Sequence, residues 1–251
     1  MYNKVVLKDC VTGIKELPDE SINMVFADPP FNIGYKYNSY NDSREDKDYL
    51  KWCDEWISEC VRVLKPNGAF YLAIGDEYAA ELNLLLKKNK LFFRNWIIWH
   101  YTFGQNCQKK FNRTHTHIHY FVKDSKSFVF NGDLIRVPSM RQLKYKDKRA
   151  NSKGKIPDDV WSMSRICGTF KERLGNHPCQ MPEELLERII KVSTSPGDLI
   201  LDPFCGSGTT SAVCKKLNRN FITYEIDKEY YENANTRIAK ISPQKEKTNE
   251  W

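Results

Sequence analysis

The sequence predicts an α/β fold built on a mostly parallel sheet, and three observations support this prediction. In the first hundred residues and in the last quarter of the chain, apolar runs of strand length alternate with amphipathic stretches of helix length. Such alternation, seen twice, is typical of a parallel sheet with helices on both faces. The third observation is the composition of the 251 residues, 41% hydrophobic and 28% charged, which is ordinary for a globular protein.

The N-terminal elements follow from apolar periodicity and from proline and glycine. Residues 22–27 (INMVFA) form a continuous apolar run that is typical of a buried strand, and Pro29 and Pro30 then force the chain out of the sheet. Lys65-Pro66-Asn67-Gly68 predicts a turn that ends a helix. In chain order we expect strand 5–7, helix 11–17, strand 22–27, helix 48–64, strand 69–74, helix 76–88 and strand 92–100.

The C-terminal elements resume the alternation after a stretch without a clear period, which extends to about residue 173. Pro182 opens an amphipathic run, and proline is favoured at the start of a helix. We expect helix 182–193, strand 198–201, a helix that ends near 217, strand 220–224 and helix 228–239.

Positive charge is concentrated between His100 and Ile156. This stretch holds 13 Lys and Arg residues, 3 Asp and no Glu, a charge of +10, so the rest of the chain carries −3 of the total of +7. Basic segments bind phosphate backbones through Coulomb attraction and release of counterions. A solvated loop is the alternative interpretation of such a charge run.

A glycine-rich loop indicates a ligand site between a strand and a helix. Asp202 is followed by Gly206-Ser207-Gly208, and Glu225 ends the next predicted strand, where a carboxylate can accept hydrogen bonds from ribose hydroxyls. The loop lacks the spacing of a dinucleotide-binding G-x-G-x-x-G and is not followed by Gly-Lys-Ser/Thr. The sequence therefore predicts a nucleoside-type ligand rather than a pyrophosphate or a nucleoside triphosphate.

A second motif, Asp28-Pro29-Pro30-Phe31, follows a buried strand and is predicted to lie at the same edge of the sheet. The Asp28 carboxylate and the Pro29 carbonyl can accept the two hydrogens of an exocyclic amine while Phe31 stacks on the ring. The motif is therefore suited to a planar amino-heterocycle.

The two motifs and their order resemble the S-adenosylmethionine-dependent DNA amino-methyltransferases of the β class. In that class the catalytic DPP(Y/F) comes first, then the target-recognition region, and then the cofactor loop. The resemblance covers nearly the whole chain and implies a permuted Rossmann-like methyltransferase fold with an inserted target-recognition region. The implied boundaries are a catalytic half at 1–100, a basic insert at 101–175, a cofactor-binding half at 176–243 and a frayed tail at 244–251.

The resemblance assigns roles to individual residues. It implies catalysis by Asp28, Pro29, Pro30 and Phe31. It implies cofactor contacts from Asp9, Cys10, Asp28, His177, Asp202, Phe204, Gly206, Ser207, Gly208, Thr209 and Glu225. Three positions depart from the family's pattern: Lys8 stands for Gly, Met181 for Lys and Phe31 for Tyr.

The implied reaction is transfer of a methyl group from S-adenosylmethionine to the N6 amine of an adenine that is flipped out of duplex DNA. The basic residues expected to bind DNA are Lys109, Lys110, Arg113, Arg136, Arg141, Lys144, Lys146, Lys148 and Arg149. Transfer to cytosine N4 stays open, although Asp28 favours adenine because the family's cytosine members more often have Ser at that position. An RNA amino-methyltransferase and a catalytically silent DNA-binding regulator are further alternatives. We expect no metal cofactor.

Two local patterns suggest other chemistry. Pro178-Cys179-Gln180 resembles the nucleophile motif of cytosine-C5 methyltransferases, but the glycine loop follows this tripeptide instead of preceding it. His115, His117 and His119 would share one face of a strand and offer zinc ligands. Because no carboxylate or thiolate stands at a matching spacing, we expect a polar strand face instead.

The sequence contains no apolar run of the roughly 18 residues that a membrane span needs. We therefore expect a cytoplasmic protein, and the resemblance implies association with the nucleoid and a prokaryotic or phage origin. The eight cysteines form no C-x-x-C pair, and we expect no disulfide. By the resemblance, a cognate restriction endonuclease and a homodimer are candidate partners.

Overall fold

The computed structural model describes residues 2–37, 39–174, 177 and 179–244. The tail expected at 244–251 lies outside this part of the chain except for Gln244. The Gln244 N–H donates to the Lys216 carbonyl at 2.8 Å, so this residue is held against the end of a helix.

The sheet has eight strands in the described part of the chain, in the order β1-β8-β7-β2-β3-β5-β4-β6. All neighbouring strands pair in parallel except β5, which is antiparallel to both β3 and β4. The strands are β1 (Lys4–Leu7), β2 (Ile22–Ala27), β3 (Leu64–Ile74), β4 (Phe92–Gln105), β5 (Arg113–Val122), β6 (Val160–Ser162), β7 (Leu199–Asp202) and β8 (Asn220–Glu225). The predicted α/β fold with a mostly parallel sheet is confirmed.

Helices cover both faces of the sheet and enclose two hydrophobic cores. The helices are α1 (Cys10–Ile14), α2 (Asp46–Val63), α3 (Ala79–Lys88), α4 (Met140–Leu143), α5 (Glu183–Ser193), α6 (Thr209–Lys216) and α7 (Lys228–Ala239), with a 3₁₀-helix at Gly132–Ile135. α2 buries Tyr49, Cys53 and Trp56, which share one helical face, in the core on one side of the sheet. α5 buries Leu185, Leu186 and Ile189 in the core on the other side.

The predicted turn at 65–68 is part of β3 in the structure. The pairing of β3 with β2 shifts register here, because Ile22 faces Leu64 whereas Met24 faces Ala69. The additional residues are therefore accommodated as an irregularity within the strand. Gly68 is required there, because a Cβ at this position would lie 2.9 Å from the Asn23 carbonyl oxygen.

The basic segment is not a separate insert over its whole predicted length. β5 lies within 101–175 and pairs with β3 and β4 in the central sheet, so the boundary at 101 divides a β-hairpin. The strand alternates Thr114, Thr116 and Ile118 with histidines, a pattern that the surrounding charge obscured. The rest of the segment, 123–174, contains the 3₁₀-helix, α4 and β6. No helix in the described ranges is long and apolar enough to cross a membrane.

Replacement of Trp56 tests the packing of α2 on the sheet. Trp56 is fully buried, with its ring 6.5 Å from that of Phe70 and 5.2 Å from that of Phe204. We expect Trp56→Ala to lower the free energy of unfolding by about 3–5 kcal/mol, because the cavity cannot fully collapse. Leu84→Ala, at an exposed position of α3, is the control and should change stability by less than about 1 kcal/mol in the same urea titration.

Candidate active site

The carboxyl edge of the sheet carries a cavity of about 580 Å³. β2 and β7 are neighbouring parallel strands, so their carboxyl ends meet at this edge. The strand order continues from this pair to β3 on one side and to β8 on the other. Open α/β sheets bind ligands at the point where the strand order runs outward in two opposite directions. The volume of the cavity is in the range of small-molecule sites.

The cavity brings together residues that are far apart in the sequence. The predicted catalytic and cofactor residues that line it are Asp9, Cys10, Asp28, Pro29, Pro30, Phe31, His177, Asp202, Phe204, Gly206, Ser207, Thr209 and Glu225. Gly208 is the predicted residue that does not line it. Pro178, the first residue of the Pro178-Cys179-Gln180 tripeptide, lies outside the described residues.

Asp28 directly follows β2 and lines the cavity beside Asp202, the last residue of β7. Among the described residues, the Asp28 carboxylate has no hydrogen-bond partner. Burial, and to a smaller extent the negative charge of Asp202, raises the pKa of Asp28 to about 8. A carboxyl group with this perturbation in a cleft is typical of a functional site.

The two prolines fix the turn that carries Asp28. The Pro30 carbonyl accepts a hydrogen bond from the Tyr49 hydroxyl at 2.8 Å, which ties the turn to α2. The Pro29 carbonyl has no hydrogen-bond partner in the described part of the chain. The Phe31 ring lies against Gly75, where an added Cβ would be 3.0 Å from the ring. The turn therefore offers two unused acceptors next to an aromatic ring.

Asp42 organises the segment that follows this turn, a role that sequence analysis missed. The side chain is 2% exposed, and its carboxylate accepts backbone hydrogen bonds from Asn32, Ile33 and Tyr35. The Asn32 side chain in turn bonds to both the N–H and the carbonyl of Arg44. Asn32 has a φ of +56°, a left-handed conformation that Asn tolerates better than most residues. In the sequence, Asn32 directly after the DPPF motif was the signal that could have indicated a tight turn here.

An aromatic wall closes one side of the cavity. The Arg44 guanidinium lies over the Tyr40 and Trp52 rings, at 4.7 and 4.9 Å from their centroids. The Trp52 ring in turn lies 5.6 Å from that of Phe204. These contacts connect the segment after Asp28 to the loop after Asp202.

The glycine loop begins with Asp202, whose carboxylate accepts the Phe204 N–H at 2.8 Å. Burial raises the pKa of Asp202 to about 6, against the opposing effect of its hydrogen bonds. Gly206 has a φ of +50°, and a Cβ there would lie 2.9 Å from Nε2 of His177. The loop therefore needs glycine at this position both for its conformation and for the close approach of His177.

Glu225 fastens the other side of the loop. One carboxylate oxygen accepts the Gly206 N–H at 2.8 Å, and the other accepts the N–H groups of Ile226 and Asp227, both at 2.9 Å. Burial raises the pKa of Glu225, whereas these hydrogen bonds lower it. Each carboxylate oxygen can accept more than one hydrogen bond, so Glu225 keeps capacity for a ligand in the cavity.

Gly208 has a packing role that the sequence did not predict. This residue begins α6 with a φ of +75°, and a Cβ would lie 2.9 Å from the Cβ of Ala234 in α7. Gly208 therefore permits the close packing of two helices, and its expected contact with the cofactor stays a prediction.

Arg237 supports the loop from behind and was not predicted. The guanidinium is buried and donates to the Ser207 carbonyl at 3.2 Å, to the Thr209 hydroxyl at 2.8 Å and to the Glu183 carboxylate at 2.7 Å. The loop is thereby tied to α5 and α7. A lone arginine in the last helix gave no signal in the sequence, because its partners lie up to 54 residues away.

Two further predicted residues border the cavity near the cofactor loop. Asp9 caps α1 by accepting the N–H and the hydroxyl of Thr12, both at 3.0 Å, and it is followed by the buried Cys10. His177 packs edge-on to the Tyr230 ring at 4.7 Å, and burial lowers its pKa to about 4. The imidazole is therefore neutral at physiological pH.

The opposite end of the cavity is built by β4, β5 and the segment after β6. Trp99 and Tyr101 line it, and the Trp99 ring N–H donates to the Met163 carbonyl at 2.9 Å. The Tyr101 hydroxyl donates to the His115 carbonyl at 3.0 Å. The Arg165 guanidinium lies 5.2 Å from the centroid of Tyr101. This end presents flat rings in the same cavity as Asp28.

The basic residues expected to bind DNA divide into two groups. Arg113 and Arg136 are not exposed: Arg113 pairs with Asp76 and Glu77 in the cavity wall, and Arg136 pairs with Asp133. These carboxylates already neutralise both guanidinium groups, and the expectation of phosphate contacts from them stays a prediction of the sequence. The exposed members are Lys109, Lys110, Arg141, Lys144, Lys146, Lys148 and Arg149. Within this group Arg141 and Arg149 both pair with Asp147.

The three histidines of β5 do not act as one group. Asp76 lies 3.4 Å from His115 and 3.2 Å from His117, so a carboxylate does stand beside two of them, contrary to the sequence expectation. His119 is buried elsewhere and hydrogen-bonds to the Ala79 carbonyl at 2.8 Å. The Arg113 guanidinium also pairs with Asp76 at 3.0 Å. A cation would therefore have to compete with a fixed positive charge.

Comparisons with known proteins agree with this geometry. The model of a family described as DNA methylase (N6_N4_Mtase) matches residues 22–236. The type II methyltransferase M.HpaI of Haemophilus parainfluenzae is 38% identical over 239 residues, which cover 95% of this chain and 74% of that protein. The DNA adenine methyltransferase YhdJ of Escherichia coli (strain K12) is 37% identical over 235 residues, which cover 90% of this chain and 79% of that protein.

Solved structures show the same architecture. The M1.HpyAVI–SAM complex superposes with a TM-score of 0.67 at 26% identity, covering 94% of this chain and 98% of that one. The cytosine-N4-specific PvuII DNA methyltransferase superposes with a TM-score of 0.70 at 20% identity, covering 95% and 87%. At that identity the second comparison speaks for the fold alone.

Asp28→Asn should stabilise the protein at neutral and alkaline pH. The pKa of Asp28 is raised to about 8 in the folded state, so ionising this carboxylate disfavours folding. This cost is absent below the unfolded-state pKa of about 4 and grows as the pH rises toward about 8. We expect the variant to gain several kcal/mol near pH 8, at about 1.4 kcal/mol for each unit of the pKa difference, and nothing near pH 4, measured by urea unfolding at both pH values. An equal gain in stability at both pH values would show that ionisation of Asp28 does not disfavour folding.

Proposed function

The chain belongs to the DNA methylase family, and on this premise we propose that it transfers a methyl group from S-adenosylmethionine to the N6 amine of adenine in duplex DNA. The observation that carries this proposal is the unpartnered Asp28 carboxylate beside the Pro29 carbonyl and the Phe31 ring, in one cavity with the glycine loop and Glu225. Methyl transfer to an amine needs the cofactor, at the glycine loop, and the amine, at Asp28, in this cavity at the same time.

The glycine-loop half of the cavity fits S-adenosylmethionine, which supplies an electrophilic methyl group on a positively charged sulfur. Glu225 keeps acceptor capacity for ribose hydroxyls, and Phe204 offers an aromatic wall. Asp28 and Asp202 are buried carboxylates without a cationic partner among the described residues, and a nearby positive charge would favour their ionised forms. The cavity is thus suited to a ligand with a cationic centre.

The other half fits the target base. We propose that ionised Asp28 and the Pro29 carbonyl accept the two N–H bonds of the adenine amine while Phe31 stacks on the ring. Both hydrogen bonds would favour a pyramidal nitrogen with a more available lone pair, and Asp28 would stabilise the positive charge that develops on it. Because the cavity holds the base outside any duplex, the adenine must be flipped. The ring-lined end at Trp99 and Tyr101 borders the same space.

Adenine is favoured over cytosine by Asp28 and by the adenine methyltransferase of Escherichia coli at 37% identity, whereas the cytosine-N4-specific structure is only 20% identical. The exposed lysines and arginines between 109 and 149 would bind the phosphates. We further propose that target recognition belongs to residues 106–112 and 123–174, which lie outside the sheet apart from the short β6. A cognate restriction endonuclease, a homodimer and a location with the nucleoid stay predictions of the sequence.

Nucleoside mass spectrometry tests the proposed reaction. Purified protein is incubated with unmethylated genomic DNA and S-adenosylmethionine, and the DNA is then digested to nucleosides. We expect N6-methyladenine from the wild type and none from Asp28→Asn, with Glu55→Ala, an exposed carboxylate on α2, as an active control. N4-methylcytosine would contradict the choice of base. No methylated nucleoside from a protein that binds S-adenosylmethionine would contradict the proposed function.

Glu225→Ala tests the cofactor half separately. The change removes the acceptor that holds Gly206 and faces the cavity, so we expect the affinity for S-adenosylmethionine to fall by about tenfold or more, as measured by calorimetry. Glu229→Ala removes an equal charge from an exposed position of α7 and should leave the affinity unchanged. Equal affinities for both variants would remove Glu225 from the cofactor site.

A further inference from the structure

A basic loop with an exposed phenylalanine joins β4 to β5. Residues 106–112, named here the basic hairpin tip, include Lys109, Lys110 and Phe111. The Phe111 side chain is 98% exposed, the most of any large hydrophobic side chain in the described part of the chain, and Phe103 on the adjoining strand is 75% exposed. Exposed aromatic side chains beside positive charge are a feature of surfaces that bind nucleic acids.

The base of this tip is firmly held. At Gly104 the backbone passes so close to β5 that a Cβ would lie 1.8 Å from the Arg113 carbonyl oxygen. Arg113 is itself paired with Asp76 and Glu77, and the Arg165 guanidinium donates to the Phe103 carbonyl at 3.3 Å. The tip is closed by a 2.8 Å hydrogen bond from the Cys107 N–H to the Asn112 side chain. Phe111 is therefore presented on a fixed support.

The tip lies at the rim of the cavity. Tyr101 in β4 and Arg113 in β5 both line the cavity, and the chain between them forms the tip. Phe111 is two residues from Arg113, which places their Cα atoms at most about 7 Å apart. This reach is about two base-pair steps of DNA, at about 3.4 Å for each step. An aromatic ring so placed can enter the duplex where the flipped base has left it.

We propose that Phe111 is a wedge that enters the DNA and fills the gap left by the flipped adenine, while Lys109 and Lys110 contact the flanking phosphates. The proposal rests on the proposed function and adds the residue that keeps the duplex open. Apolar side chains inserted between base steps stabilise unstacked DNA in this way. A second copy of the chain is the other candidate partner of the tip. However, Lys109 and Lys110 would repel their counterparts across a two-fold axis, whereas they attract phosphates.

The test compares Phe111→Ala with Phe92→Ala. Phe92 begins the same strand at the opposite edge of the sheet and is 49% exposed. The substrate is a duplex with the recognition site mapped from methylated genomic DNA, prepared with the target adenine opposite either thymine or an abasic site. We expect Phe111→Ala to lower kcat/KM about 10- to 100-fold on the paired duplex. The loss should largely disappear opposite the abasic site, where less pairing opposes flipping, and Phe92→Ala should match the wild type on both.

A second readout follows flipping directly. With 2-aminopurine at the target position, the fluorescence increase on binding should fall for Phe111→Ala and return for Phe111→Tyr, which restores the ring. Unchanged kinetics of Phe111→Ala, or the same loss of kcat/KM on both duplexes, would overturn the proposal that Phe111 is a wedge. A change in the molar mass of Phe111→Ala in solution would instead assign the tip to contact between copies. Wild-type protein without methyl transfer would contradict the proposed function itself.

Discussion

Two buried carboxyl groups at the carboxyl ends of adjacent parallel strands are the constraint around which the site is arranged. The pairing of β2 with β7 brings Asp28 and Asp202 together at the carboxyl edge, although the two residues are far apart in the chain. Neither has a cationic partner among the described residues, and burial raises the pKa of both. A protein that optimised only its stability would not keep this arrangement, because each ionised group disfavours folding. The cost is explained if a cationic ligand and an amine complete the site.

The surrounding structure holds these groups in place. The turn after Asp28 is tied to α2 through Tyr49, and the segment that follows it is organised by Asp42. On the other side, Arg237 and Glu225 fix the glycine loop through its carbonyl and N–H groups. In both cases hydrogen bonds from buried polar side chains fix the backbone of the loop. The Asp28 carboxylate and the Pro29 carbonyl are therefore held in place by these contacts.

The sequence predicted the elements whose signals are local. Residues 22–27 were placed correctly from their continuous apolar run, and 228–239 from the alternation of strands and helices. Both motifs were placed at the sheet edge because parallel strands share a carboxyl side. The sequence indicated a polar strand face at His115, His117 and His119, but it did not predict that this strand pairs within the central sheet, because the strand lies within a charged segment. The pairing of Arg113 with Asp76, and that of Arg237 with Glu183, join residues 37 and 54 positions apart, and no local pattern reports such contacts.

The central claim is that Asp28 holds a proton in the ligand-free protein and ionises when positive charge is placed beside it. Calorimetry in two buffers of different ionisation enthalpy, near pH 7, counts the protons released when each of two ligands binds. S-adenosylmethionine should release up to about one proton more than S-adenosylhomocysteine, whose sulfur is uncharged, and Asp28→Asn should abolish the difference. Equal proton release for the two ligands, or a difference that persists in the variant, would contradict the account.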